Sequence, residues 1–294
     1  FPLPSCCHTV DRYTRSRWRE FQVVQRELVF KRYLSLLGIE PAPPSLDHLS
    51  RLVTAQLIRV PFENISKLYL RRTAGAGFIP TLSEHLDGIE HFNFGGTCYA
   101  NNPYFCELLN FLGYDVTLCG ADMSNPDVHV VIMVELEDRQ WLVDAGYAAP
   151  FFKPLARDLD EEHEIRFGAY RYVLEPQDRR GRSRLRLYRD GELVHGYVAK
   201  PQARGIANFR SVIQNSYRST SNFMNAVVVE KFSPGRSLRF HNLTMTESSG
   251  TTSVATQLGD RDTLIDALEA KCGITADRVR TAIDGIALAA DIYS

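Results

Sequence analysis

The chain has 294 residues, long enough for a sizeable core and for two or three packed parts. Its 34 basic and 35 acidic residues nearly cancel and are interspersed, so no sequence-wide field favours nucleic acid or an anionic membrane. No run of about 18 apolar residues occurs, which argues against a transmembrane helix.

Phe1 to Val10 has neither a charged leader region nor a long apolar stretch, so a secretory signal is not expected there, although the numbering can begin inside a longer product. Cys6, Cys7, Cys98, Cys106, Cys119 and Cys272 are too scattered for a disulfide scaffold, and no C-x-x-C pair suggests zinc. A reduced, cytoplasmic setting without a metal is the expectation. Arg179-Arg180-Gly181-Arg182 reads as a solvated loop.

Phe30, Tyr33, Leu34 and Leu37 recur at helical spacing, with Gly38 as a stop. Ser45 can cap a second helix carrying Leu46, Leu49, Leu52, Val53 and Leu57, and Pro61 closes it. A further helix is predicted over about Asn101 to Leu112, ended by Gly113. Strands then dominate: Val128 to Leu136, Gln140 to Ala145, Tyr170 to Leu174 and Arg184 to Tyr188, with Asp190-Gly191 as a hairpin turn. The last third mixes a helix over Phe209 to Tyr217, strands over Ala226 to Val229 and Leu238 to Leu243, and helices over Asp262 to Lys271 and Thr275 to Ala287. The fold class is α+β in three parts: helices over 1–92, antiparallel β structure with the helix after Cys98 over 93–204, and a smaller α/β segment over 205–294.

Phe94-Gly95-Gly96-Thr97-Cys98-Tyr99 carries the strongest chemical signal. Two glycines let the backbone bend and approach a substrate, and Cys98 stands where the chain enters a helix. A helix N-terminus favours a thiolate and offers free amides to an oxyanion. Cys106, among Phe105, Leu108 and Leu109, and Cys119 on a strand read as core. His129 opens the Val128 to Leu136 run on the face of Val131 and Met133. Asp144 interrupts Trp141-Leu142-Val143 where an apolar residue would be expected, and a buried carboxylate needs a partner. With Asp138-Arg139 as the turn, His129 and Asp144 share a face but stand about four positions out of register. A bulge or a different pairing would have to close that gap.

Pro61-Phe62-Glu63-Asn64, Gly95-Gly96-Thr97-Cys98-Tyr99, Asp127-Val128-His129-Val130 and Leu142-Val143-Asp144-Ala145-Gly146-Tyr147 occur in an order that resembles the arylamine N-acetyltransferases. The likeness runs from about Leu28 to Leu155 and returns more weakly around Ser219 to Phe223. It implies a helical bundle, an antiparallel β-barrel and an α/β lid on a cysteine-protease-like core, with Cys98, His129 and Asp144 as a catalytic triad. It implies acetyl-CoA as co-substrate and an arylamine or hydrazine as acceptor in a ping-pong reaction. Phe62 would line the acceptor pocket and Ser221 would contact CoA. The family pattern has Arg where this chain has Phe94, and Glu or Gln at Ala100. Glu63 is therefore expected to find another basic partner or to reach solvent. Two other readings share the triad: an amide synthase that takes its acyl group from a carrier protein, and a cysteine hydrolase. A binding protein without turnover would have no evident reason to keep a costly buried Asp144.

Overall fold

The computed structural model describes residues 24–75 and 77–288; Cys6, Cys7 and the outermost ends of the first and third expected parts lie outside them. Helix α1 covers 24–37 and stops at Gly38, whose φ of 65° is left-handed. Ser45 caps α2 (Leu46–Arg59) by accepting the His48 N–H at 3.2 Å. The two-residue strand β1 (Phe62–Glu63) leads into α3 (Ile65–Ala74). Thr81 and Glu84 close a reciprocal capping box on α4 (Leu82–Phe92), and α5 runs from Cys98 to Phe111.

Eight antiparallel strands follow as one sheet, in the order β5-β4-β3-β2-β9-β8-β7-β6. They are β2 (Asp115–Asp122), β3 (His129–Leu136), β4 (Arg139–Val143), β5 (Leu155–Ala156), β6 (His163–Phe167), β7 (Tyr170–Leu174), β8 (Ser183–Arg189) and β9 (Glu192–Ala203). The sheet curls into a half-barrel. It does not close: β5 and β6 are its two edges, where the sequence had suggested a barrel. One of its faces is covered by bulky side chains including Tyr147, Phe151, Tyr172 and Tyr197.

The opposite face of β3 and β4, with Ile132, Val134, Trp141 and Val143, packs against Tyr104, Phe105, Leu108 and Leu109 of α5. The alternation read along Val130 to Leu136 thus separates two cores.

After a short 3₁₀ turn come α6 (Arg210–Asn215) and α7 (Asn222–Asn225), then β10 (Val228–Ser233), β11 (Arg236–His241), β12 (Thr244–Ser249) and β13 (Thr252–Gln257). These strands pair in an antiparallel meander that continues into β1, in the order β1-β10-β11-β12-β13. Helices α8 (Arg261–Cys272) and α9 (Ala276–Ile283) complete a third apolar cluster with α3 and this sheet. The first part therefore contributes a strand to the last. Strands β12 and β13 are rich in Ser and Thr and show no apolar alternation, so periodicity did not reveal them.

Candidate active site

The Pro-Phe-Glu-Asn and Gly-Gly-Thr-Cys stretches form one unit. Gly96 N–H donates to the Pro61 carbonyl at 3.3 Å, and Glu63 N–H donates to the Gly96 carbonyl at 3.2 Å. A Cβ on Gly95 would lie 1.9 Å from the Pro61 oxygen, so only glycine lets the two segments meet. Gly95 therefore serves a contact between chain segments that the sequence did not suggest.

Glu63 departs from expectation as well. It is fully buried and neither reaches solvent nor pairs with a base; its Oε1 accepts the Gly95 N–H at 2.9 Å and its Oε2 the Ser66 N–H at 2.8 Å. With Phe94 in place of an arginine, backbone amides take over. Burial pushes the Glu63 carboxyl up from its ordinary value, and the bonds from Ser66, Gly95 and Ile65 pull it back. Asn64 grips the last part: its Nδ2 donates to the carbonyls of Phe223 and Ala226, and its Oδ1 accepts the Val228 N–H.

Cys98 is the first residue of α5 and is buried. His129 opens β3 and Asp144 follows β4, both almost wholly buried, with His129 Nε2 2.8 Å from Asp144 Oδ2. The gap in register closes because the turn is Glu137-Asp138, both residues at positive φ, so that Leu136 pairs with Arg139 and Ile132 with Val143. That shift of one residue in the turn brings Asp144 opposite Val131, diagonal to His129 on the same face. The Cys98 sulfur donates to the Val128 carbonyl at 3.9 Å, next to His129 in the chain, and is close enough to raise the imidazole. Burial works against a charged His129, but the pairing with Asp144, its hydrogen bond and the Cys98 sulfur outweigh it and push the imidazole up to about 10.

Asn102 completes the arrangement. It lies one helical turn beyond Cys98, on the same side of α5. Its Nδ2 donates to Asp144 Oδ1 at 2.8 Å and to the Val130 carbonyl at 2.6 Å, while its Oδ1 accepts the Ala145 N–H at 2.8 Å. The Gly146 N–H also donates to Asp144 Oδ1, at 3.1 Å. The sequence signal for Asn102 is a polar residue at i+4 from the cysteine, beside Pro103, Tyr104 and Phe105. Tyr147 and Tyr197 flank the His129 ring with centroids 5.7 and 4.9 Å away.

The other described cysteines have no such company: burial pushes Cys106 up to about 12 and Cys119 and Cys272 up to about 11. Phe62 sits half-buried in β1 with its ring edge-on to Phe223 at 5.8 Å. Ser221 precedes α7, and its backbone closes turns to Arg218 and Met224. Among the described residues no group of three or more His, Cys, Asp or Glu could hold a metal, and no helix is long and apolar enough to cross a membrane.

A family model described as N-acetyltransferase matches residues 45–281, a span that contains β1, the glycine turn, Cys98, His129 and Asp144. The chain belongs to the arylamine N-acetyltransferase family. Within this family, the pineal gland arylamine N-acetyltransferase isozyme NAT-3 of Gallus gallus is 28% identical over 142 residues, 45% of this chain and 47% of that protein. Proansamycin X synthase of Amycolatopsis mediterranei is 43% identical over 70 residues, 21% of this chain and 27% of that protein. The chain thus matches about half or less of the length of these curated relatives. The arylamine N-acetyltransferase of Mycobacterium marinum, solved in complex with CoA, superposes with a TM-score of 0.74 at 20% identity, covering 87% of this chain and 99% of that one. The two share the family fold.

Proposed function

We propose that the chain is an acyltransferase that carries an acetyl group from acetyl-CoA to an arylamine, hydrazine or related amine through an acyl-Cys98 intermediate. The observation that carries this reading is the buried His129–Asp144 pair, with the Cys98 sulfur near enough to raise the imidazole. Cys98 gives its proton to His129, and the imidazolium is held by Asp144. The thiolate attacks the thioester carbonyl; a new C–S bond forms, and the bond to CoA breaks. CoA leaves as the thiol with the proton from His129. The amine then attacks the acyl-cysteine, His129 takes a proton from it, and the Cys98 thiolate departs. We assign the oxyanion to the Cys98 and Tyr99 amides that open α5, since those of Ala100 and Asn101 already donate to the Thr97 carbonyl.

No step calls for a metal. Phe62 and Phe223 supply an aromatic surface suited to an arylamine ring. Ser221, on the segment that Asn64 ties down, is the residue we assign to CoA contact.

Incubation with acetyl-CoA alone tests the first half. One acetyl group on Cys98, with CoA released before any amine is added, is the expected result. Acylation elsewhere, or none, overturns it.

A second reading is an amide synthase that takes its acyl group from a carrier protein; the 43% identity to a synthase over 70 residues is in keeping with it. An enzyme that ignores acetyl-CoA and is acylated at Cys98 by a carrier-bound thioester would be of that kind. Rapid loss of the acyl group to water would instead indicate a cysteine hydrolase.

A further inference from the structure

Lys67 is placed where an ammonium is hard to keep. It is the third residue of α3, in the first turn, where the helix dipole disfavours a cation. It is also buried, only 7% exposed. Among the described residues no carboxylate forms an ion pair with it. Glu63, one turn earlier, spends its oxygens on the Gly95 and Ser66 amides. Of the three ammonium donors, one meets Ser216 Oγ at 2.7 Å. The Nζ stands 4.4 Å from the Tyr217 ring centroid and 6.0 Å from that of Phe223. Burial pushes its ordinary value down to about 8, and the Cys98 sulfur opposes that shift.

The surroundings define a ligand. Lys67, Ser216 and Tyr217 line one crevice with Gly95, Gly96 and Thr97, the residues leading into Cys98. The crevice opens beside the ammonium and the glycine turn. A carboxylate is a planar single-charge anion that matches one lone ammonium. Phe223 stands between the cation and Phe62, its ring 6.0 Å from the ammonium and 5.8 Å from the Phe62 ring.

We propose that Lys67 recognises a carboxylate on the amine acceptor and so selects aromatic amines that carry an acidic substituent. This rests on the acyl-transfer reading above. A bound carboxylate would supply the counter-charge the fold withholds, and would accept from the ammonium donors that Ser216 leaves free.

The test compares 4-aminobenzoate with its neutral isostere 4-aminobenzamide. The ratio of kcat/KM for the two should favour the carboxylate and fall at least about tenfold in Lys67→Met, the scale of one charge-assisted hydrogen bond, with partial recovery in Lys67→Arg. A ratio unchanged in Lys67→Met overturns the proposal. So does an equal loss for both acceptors with slower alkylation of Cys98, which would make Lys67 a partner of the thiolate. A Lys67 effect confined to acylation by acetyl-CoA also removes the acceptor assignment.

Binding gives a readout independent of turnover and of the folding of Lys67 variants. Benzoate should bind the Cys98→Ala protein at least about tenfold more tightly than benzamide by calorimetry. Equal affinities overturn the proposal even if acetyl transfer is proved, and a benzoate preference stands even if acetyl-CoA is not the donor.

Discussion

Gly146 packs directly on the backbone of Cys98: a Cβ built on the glycine would lie 2.6 Å from the Cys98 Cα and 2.7 Å from Asn102 Nδ2. The segment leaving β4 therefore passes across the first turn of α5 with no space for a side chain, which holds Asp144 at a set distance from the helix that carries the nucleophile. Gly146→Ala must move either backbone or Asn102. It should cost about 1–3 kcal/mol of stability, as overpacking does, and most of the acyl-transfer rate, because misplacement of about 1 Å is enough to disable a catalytic group. Urea unfolding and Cys98 acylation measured together check this; a stable, fully active variant would contradict it.

Asn102→Ala leaves the Val130 carbonyl and the Ala145 N–H unpaired in the core and strips one donor from Asp144. Each buried orphan costs about 1–3 kcal/mol, so a loss of about 2–4 kcal/mol in chemical unfolding is expected. Acylation should fall with it, since Asp144 would lose its hold on the imidazole.

Reactivity should separate the cysteines. Cys106, Cys119 and Cys272 are pushed by burial to about 12, 11 and 11, so they remain thiols near neutral pH. Cys98, beside His129, should be the first of these four to alkylate with iodoacetamide at pH 7. Peptide mapping that finds Cys106 or Cys119 labelled first would remove Cys98 as nucleophile.

The elevated imidazole has a sign in stability. His129 moves up from 6.5 to about 10 on folding, so its contribution is fully present below about pH 6.5 and is lost as pH rises through about 10. The stability gap between the wild type and His129→Gln should narrow between pH 6 and pH 10 in guanidinium titrations. A gap that widens with pH would mean that the imidazole is held neutral.

The triad should also behave as a unit. Cys98→Ala should abolish transfer, and His129→Ala with Asp144→Asn should cost little more than His129→Ala alone. If the double variant loses the product of the two single effects, Asp144 is a structural carboxylate and the reading shrinks to a Cys98–His129 dyad.

Local features could be read from the chain because they are decided by neighbours a few residues away. The Ser45 cap, the stop at Gly38, the two-faced run after Val128 and the Asp190-Gly191 hairpin each depend on one residue's conformational range or on a period of two or 3.6. Cys98 at the mouth of a helix and an acidic residue intruding on an apolar strand were legible for the same reason. Contact between His129 and Asp144 was not. It depends on which two of Glu137, Asp138 and Arg139 take positive φ, and all three are polar residues that tolerate a turn. One step in that choice moves a cross-strand partner by two positions, and the ladder that Ile132 and Val143 complete against α5 makes the choice. Glu63 was misjudged because its donors are backbone amides, which every residue carries and no residue type advertises. The setting of Lys67 likewise belongs to the fold: Ser216, Tyr217 and Phe223 come from about 150 residues away. Sequence determined which groups can do chemistry here, and tertiary packing decided which of them touch, because contact across a fold is set by register and burial, which no local window contains.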